Sequence, residues 1–411
     1  MVRIAILSDI HFGKFSRTTE LSVPGENIQD ENSGAASLTD GMLEILKDMA
    51  VSYIFIAGDL TSVASPQEFY YCEKKLIDIA NKLEIEPERI ICCLGNHDID
   101  RNITKISDQL LENIENEETK EIIRTKYNLI AASCANSNLE KIALPKENEG
   151  PAPYSGLYEE ENFVVFVVNS GWQCTHDQEY SHGKITEIQL KWLDETTKKY
   201  ENDVRIKIVL VHHHPFKYTY PLPMQDISEI EEGSEFMDII DKNRVDIVIH
   251  GHRHHPIVKT IQTGTGRNPI TLICAGSFSV NAQHRNNGEI PNTMHILEIG
   301  ERDKGSVLYN YKYTASEGWK SLNYCKDTPL DYKMKLGKIY SDSEIKEEIL
   351  KLPTQHDGCV TWEELNEKLQ YVMYEELNAM IKRELSEKYR IVGNFPDEVC
   401  FLPKGATGVK R

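Results

Sequence analysis

Two short spacings carry metal-ligand chemistry. Asp9-Ile10-His11 and His252-Arg253-His254 each set two donors one residue apart. In extended chain, residues i and i+2 point to the same side, so each pair is expected to reach one ion. Asp59, Asn96 and one imidazole of the run His212-His213-His214 stand between them in the chain. Carboxylate, amide and imidazole donors without cysteine suit Mn²⁺, Fe or Zn²⁺, and the hard oxygens tilt the choice toward Mn²⁺ or Fe. His97, next to Asn96, is placed for acid–base work on a bound group. Arg101 lies close enough in sequence to help hold an anion. Asp98 reads as a structural residue that orients the turn. His250 and His255 flank the last motif with the opposite parity and read as supporting or surface groups. Trp172 reads as core, and Arg253 as a salt-bridging or solvated group. His176 and His182 read as loop residues without a role.

Each motif follows a short apolar run. Ile4–Leu7 precedes Asp9, Tyr53–Ala57 precedes Asp59, and Ile90–Leu94 precedes Asn96. Ile206–Val211 precedes the histidine run, and Val245–Ile249 precedes His252. Such runs read as strands buried on both faces, as do Phe163–Val168 and Thr271–Ala275. Helices are expected at Leu38–Met49, at Thr186–Tyr200 and after Ser65-Pro66-Gln67-Glu68, a capping box with proline at the first helical position. Strands alternating with helices make an α/β layered domain, with polar clusters gathered at the strand carboxyl ends. Three segments leave from those ends and read equally as lids or as surface decoration: 14–37, 100–140 and 217–233.

The chain has 411 residues, 40% hydrophobic and 27% charged, so it is globular and long enough for a sizeable core. Its net charge of −19 argues against general nucleic-acid or anionic-membrane binding. No apolar run approaches the ~18 residues of a membrane span, and the N-terminus does not read as a signal peptide, so a cytoplasmic setting is expected. Nine cysteines without a C-x-x-C pair are expected to be reduced.

The order Asp9-x-His11, Gly58-Asp59, Gly95-Asn96-His97-Asp98, His-His-Pro and Gly251-His252-x-His254 resembles the calcineurin-like metallophosphoesterase superfamily. Ser8-Asp9-Ile10-His11-Phe12-Gly13 and Gly58-Asp59-Leu60-Thr61 narrow the resemblance to Icc-type phosphodiesterases, the class III cyclic-nucleotide branch. The likeness covers about residues 1–300. It implies a four-layer α-β-β-α sandwich with two divalent ions, one held by Asp9, His11, Asp59 and His254, the other by Asp59, Asn96, His213 and His252. His213 is chosen as the first histidine of His-His-Pro, with His212 expected on the other face. Asn96, His97 and Arg101 are expected at the substrate.

The implied activity is phosphodiester hydrolysis of a small nucleotide or cyclic-nucleotide-type substrate through a hydroxide activated by the metal pair. A phosphomonoesterase, protein phosphatase or DNA nuclease on the same site is the alternative. A non-catalytic scaffold is a third reading, disfavoured because no ligand is missing. Residues 1–315 are assigned to the phosphoesterase domain and 316–340 to a connector. Residues 341–411 are assigned to a small α+β module, winged-helix-like in element order, that serves a protein partner or homo-oligomer.

Overall fold

The computed structural model describes residues 2–28, 30–31, 37–146, 151–174, 182–216, 228–262, 269–300, 305–322, 330–336, 342–354, 358–361, 364–365, 374–394 and 398–404. The chain divides into two compact units, Met1–Lys333 and Met334–Arg411.

In the larger unit, one mixed sheet is centred on β1 (Val2–Leu7), β2 (Tyr53–Ala57) and β3 (Ile90–Cys93). β1 and β2 run parallel with Ile4 opposite Tyr53, and β3 follows with Ile54 opposite Ile90. The second sheet holds β4 (Ser155–Glu159), β5 (Phe163–Val168), β6 (Ile206–Leu210), β7 (Ile247–His250), β8 (Pro256–Gln262) and β9 (Pro269–Ala275), in the order β4-β5-β6-β7-β9-β8. Its four inner strands are parallel, and β4 and β8 close the edges antiparallel. The first sheet is extended past β1 by β10 (Asn292–Ile299), β11 (Ser306–Thr314) and β12 (Gly318–Ser321).

The parallel strands are mostly apolar because both faces are covered. Tyr53 and Phe55 of the first sheet meet Phe163 of the second, at centroid distances of 5.1 and 5.9 Å. Ala5, Leu7, Ile54, Ile56, Ile90 and Cys92 face outward beneath α1 (Leu38–Asp48), α2 (Pro66–Leu83) and α4 (Glu117–Asn138). On the other side Val164, Phe166, Val209, Val211 and Val248 pack with α5 (Glu187–Lys199) and α6 (Gly233–Lys242). The result is an α/β sandwich of two mixed sheets flanked by helices. α2 starts as its sequence dictates: Ser65 Oγ accepts from Glu68 N–H, Pro66 opens the helix, and Phe69, Cys72, Leu76 and Ile79 fill the core side. Each such large aliphatic or aromatic side chain contributes roughly 1.5–3 kcal/mol by leaving water.

Several expectations change here. The segment 100–140 forms α3 (Arg101–Leu111) and α4, and α4 buries Ala131, Ala132 and Ala135 in the core, so it is a packing layer. The described part of 14–37 is tied to the loop after β9, with Arg17 N–H donating to Ser279 O at 2.8 Å. Residues 217–227 and His176 lie outside the described residues. Part of the expected connector is strand: Gly318–Ser321 pairs with β11, because Trp319 stacks on Phe278 at 5.7 Å and its Nε1 donates to Leu38 O.

The smaller unit holds helices Asp342–Lys351 and Tyr374–Leu385, and strands Cys359–Val360, Tyr389–Val392 and Val399–Pro403, the last strand central. Ile345, Ile349, Leu377, Ile381, Val399 and Phe401 form its core. Tyr389–Val392 and Val399–Pro403 pair antiparallel as a hairpin, with Tyr389 opposite Pro403. Cys359 and Cys400 are directly opposed across two strands, with Cα atoms 4.1 Å apart, and form a disulfide. Register overturns the expectation of a free thiol at these two positions. Cys72, Cys92, Cys93, Cys134, Cys174 and Cys274 are free.

No described helix is long and apolar enough to cross a membrane.

Candidate metal centre

Parallel strands that end side by side place their next residues together, and this chain uses that edge five times. β1 leads into Asp9 and His11, β2 into Asp59, β3 into Asn96, β6 into His212 and β7 into His252 and His254. β1 and β2 stay tied beyond their ends, with Asp9 N–H donating to Gly58 O at 3.1 Å and His11 N–H to Asp59 O at 2.9 Å. Extended-chain parity does not aim these donors, contrary to expectation. Asp9, His11, Asp59, His252 and His254 all have φ between 48° and 70°, the left-handed region. Non-glycine residues adopt it at a cost, and five instances at one edge mark strain stored where ligands must converge.

The donors form two groups that meet at one carboxylate. Asp9, His11, Asp59 and His254 offer atoms within 4.8 Å of one another, as do His212, His213 and His252. Asp59 Oδ2 lies 3.5 Å from His11 Nε2 in the first group and 3.3 Å from His212 Nε2 in the second. Its other oxygen accepts His97 N–H at 2.8 Å, which fixes the carboxylate plane. Asp9 is held the same way: Oδ2 accepts from Ser8 Oγ and from His252 N–H at 3.1 Å. Asp9 Oδ1, 3.1 Å from His254 Nε2, accepts no hydrogen bond. Glycine is required at this closeness, since a Cβ on Gly251 would lie 2.6 Å from Asp9 Oδ2 and overlap Ser8 Oγ.

The rings are aimed by their other nitrogens. His212 Nδ1 pairs with Ala57 O at 2.7 Å and His254 Nδ1 with His284 O at 2.9 Å, so in each the Nδ1–H donates to a carbonyl and Nε2 faces the cluster. The Nε2 atoms of His11 and His254 are 3.3 Å apart. His252 Nδ1 lies 3.0 Å from Asn96 Oδ1 and 3.3 Å from His212 Nε2, and His212 Nε2 lies 3.2 Å from Asn96 Oδ1. Lone pairs that crowd together around an acceptor without a hydrogen bond fit a pair of divalent cations, which would satisfy them together.

His212, and not His213, reaches Asp59 and Asn96. His213 Nδ1 is 2.8 Å from Ser170 Oγ, and its Nε2 is 3.8 Å from Cys174 Sγ. The reason is strand parity. Val209 and Val211 pack outward with α5 and α6, so Ile208, Leu210 and His212 fall on the face toward the first sheet. The one polar residue of the run, Lys207, shares the parity of Val209 and Val211, the outward side.

Electrostatics follows the same grouping. Burial would raise the Asp59 carboxyl, but His212, His97 and His11 beside it hold it well below the ordinary range. Burial lowers His212, yet Asp59 outweighs it and lifts the ring to about 9. Burial likewise pulls on His254, and Asp9 raises it overall. His11, His213 and His252 are pushed well down, first by burial and then chiefly by neighbouring imidazoles.

Beside the cluster, His97 Nδ1 pairs with Ser62 O at 2.9 Å, and Arg101 Nη2 lies 3.4 Å from His97 Nε2. Burial lowers His97, which favours the neutral ring with its proton on Nδ1. Asp98 orients the turn. Its carboxylate accepts from Leu60, Thr61 and Gly95 N–H at 2.9–3.1 Å, and from Thr61 Oγ1 at 2.9 Å. His250 and His255 are buried, and Trp172 is core, donating to Gln189 Oε1. Ser8, Ala57 and Ser62 were not singled out by sequence reasoning, since their parts are played by one hydroxyl and two backbone carbonyls.

A family profile described as calcineurin-like phosphoesterase matches residues 2–256. No curated protein sequence matches the chain. Among solved structures, a dimetal phosphatase from Danio rerio is similar at 12% identity and a TM-score of 0.45, covering 75% of this chain and 95% of that one. Purple acid phosphatase PPD1 from yellow lupin (Lupinus luteus) is similar at 13% identity and a TM-score of 0.46, covering 81% of this chain and 53% of that one.

Proposed function

Because this chain belongs to the calcineurin-like phosphoesterase family and carries a candidate dinuclear metal site, we propose that it is a metal-dependent phosphodiesterase for a small nucleotide or cyclic-nucleotide-type diester, of the Icc type that its motifs resemble. The observation that carries the reading is Asp59 Oδ2, placed between His11 Nε2 at 3.5 Å and His212 Nε2 at 3.3 Å. One ion would be held by Asp9, His11, Asp59 and His254, and the other by Asp59, Asn96, His212 and His252, with His212 taking the role first given to His213. The donor set suits Mn²⁺ or Fe, with Zn²⁺ as the alternative. Two such ions supply Lewis acidity at the phosphoryl oxygens and lower the pKa of water at the site.

The protein's own groups divide the remaining work. Asp9 and Asp59 each keep one oxygen pinned by a backbone N–H and turn the other toward the imidazoles of the site, which fixes the charge that faces it. His97, with its Nδ1 proton on Ser62 O, turns Nε2 toward Arg101, and the two are placed to orient the phosphoryl group and the leaving oxygen. Asn96 adds a neutral donor, so the site stays more cationic than a third carboxylate would leave it. We read 334–411 as an interaction or oligomerisation module, winged-helix-like in order, on the support of its own small core. The setting is read as cytoplasmic on the free cysteines, with the Cys359–Cys400 bond weighing the other way.

The test is hydrolysis of bis(p-nitrophenyl) phosphate by the metal-loaded protein. Asp59→Ala and Asn96→Ala are expected to abolish it. Unchanged turnover in both variants would refute the assignment. A panel of monoester, cyclic diester, dinucleotide and single-stranded DNA substrates separates the phosphodiesterase from a phosphomonoesterase or nuclease.

A further inference from the structure

Next to the metal centre, two separate loops bring an aromatic ring and an imidazole to the surface. Phe15 is half-buried and His284 is exposed, with ring centroids 4.8 Å apart. Phe15 also stands edge-on to His97, at 5.6 Å and 88°, and 6.0 Å from His11. The exposed Lys14 side chain places its ammonium over the Phe15 ring, 4.8 Å from the centroid, on a face that a planar ligand would take by displacing it. Phe15 is held rigidly by its backbone: its N–H donates to Ser62 Oγ at 3.1 Å, and its carbonyl accepts from Asn281 N–H at 2.8 Å. His284 is tied to the centre through its carbonyl, which accepts from His254 Nδ1 at 2.9 Å. Packing of the main core explains neither ring's position.

We propose that the Phe15–His284 rim is a specificity-determining platform that holds a planar ring of the substrate, a nucleobase or an aryl group, on the side of the site occupied by His97. The inference rests on the phosphodiesterase reading and adds to it where the non-reacting part of the substrate sits. A flat face fixed by its backbone loses little freedom on stacking, and every base offers a π-face to it. Lys14 swings off the ring when the base arrives and remains within reach of an anionic group.

The test compares AMP with ribose 5-phosphate, which share the phosphate and the sugar and differ by the base. Binding of each to Mn²⁺-loaded full-length protein is measured by calorimetry. Wild type is expected to prefer AMP by at least about fivefold, the low end of one base–aromatic stack. Phe15→Leu and His284→Ala are expected to bring the preference toward one while ribose 5-phosphate affinity and metal content stay unchanged. Phe15→Tyr is expected to keep the preference. A ratio near one in wild type, including the case in which neither ligand binds, overturns the proposal. So does a preference retained in Phe15→Leu, or an equal loss of both ligands in that variant. Failure of wild type to hydrolyse bis(p-nitrophenyl) phosphate sinks the phosphodiesterase reading alone, since the binding ratio is read without turnover.

Discussion

Replacing His212 by alanine is expected to empty one of the two metal positions, whereas replacing His213 leaves both filled. His212 Nε2 lies 3.3 Å from Asp59 Oδ2 and 3.2 Å from Asn96 Oδ1, while His213 is engaged with Ser170. The same geometry sets a pH signature. Without metal, His212 titrates at about 9, and a coordinating ring must first lose that proton. Expelling it at pH 7 costs about 3 kcal/mol, or roughly a hundredfold in apparent affinity. Asp59 is already ionised and His252 already neutral at that pH, so neither adds to the slope. Apparent affinity for the ion at this position should therefore climb about tenfold per pH unit from 7 toward 9 and flatten above, with about one proton released from His212. Metal content by plasma mass spectrometry gives the stoichiometry of both variants. Competition titrations across pH give the slope, and calorimetry in buffers of different ionisation enthalpy counts the protons. The reasoning is refuted if His213→Ala, and not His212→Ala, loses the ion, or if the wild-type affinity is flat between pH 7 and 9.

Asp98→Ala leaves the Leu60, Thr61 and Gly95 N–H groups buried without their acceptor, and should cost at least about 3 kcal/mol in denaturant unfolding. Gly251→Ala should strip the metals and abolish hydrolysis, because the new methyl collides with Ser8 and Asp9; retained metal content would contradict the packing argument. The metal-free protein should lose stability on acidification. His250 is pushed down to about 3 by burial and neighbouring His214, and His11, His213 and His252 are depressed too. A histidine with a lowered folded pKa contributes stability above its unfolded value near 6.5 and loses it as pH falls below, so melting temperature should drop from pH 6.5 toward 3. His212 and His254, whose pKa values are raised, change their contribution only above pH 6.5, where it is lost as pH rises, so they leave the acid-side drop unchanged. Arg101→Ala should raise KM for bis(p-nitrophenyl) phosphate with metal content unchanged, measured by steady-state kinetics.

Much of this centre is written in the chain. Five apolar runs each followed by a donor say that strands end at one edge, because a strand buried on both faces must be apolar and its polar groups must wait for its end. Asp9, His11, Asp59, Asn96, His252 and His254 stand out as candidate donors on that ground, and the start of α2 was legible, where Ser65, Pro66 and Glu68 act within one turn of helix. The antiparallel strands β8, β10 and β11 were not read, since their faces mix polar and apolar residues and their pairing is settled by distant partners.

Local sequence thus determined which residue types wait at the strand ends. Tertiary structure decided how they face each other. His212 faces Asp59 and His213 faces Ser170 because packing of Val209 and Val211 under α5 and α6 fixed the roll of β6. The left-handed turns at Asp9, His11, Asp59, His252 and His254 are held by hydrogen bonds from other strands, such as His97 N–H to Asp59 and His252 N–H to Asp9. The Cys359–Cys400 bond likewise joins residues 41 apart through strand register alone. Orientation at a site is a property of several chain segments at once, so no single segment of sequence contains it.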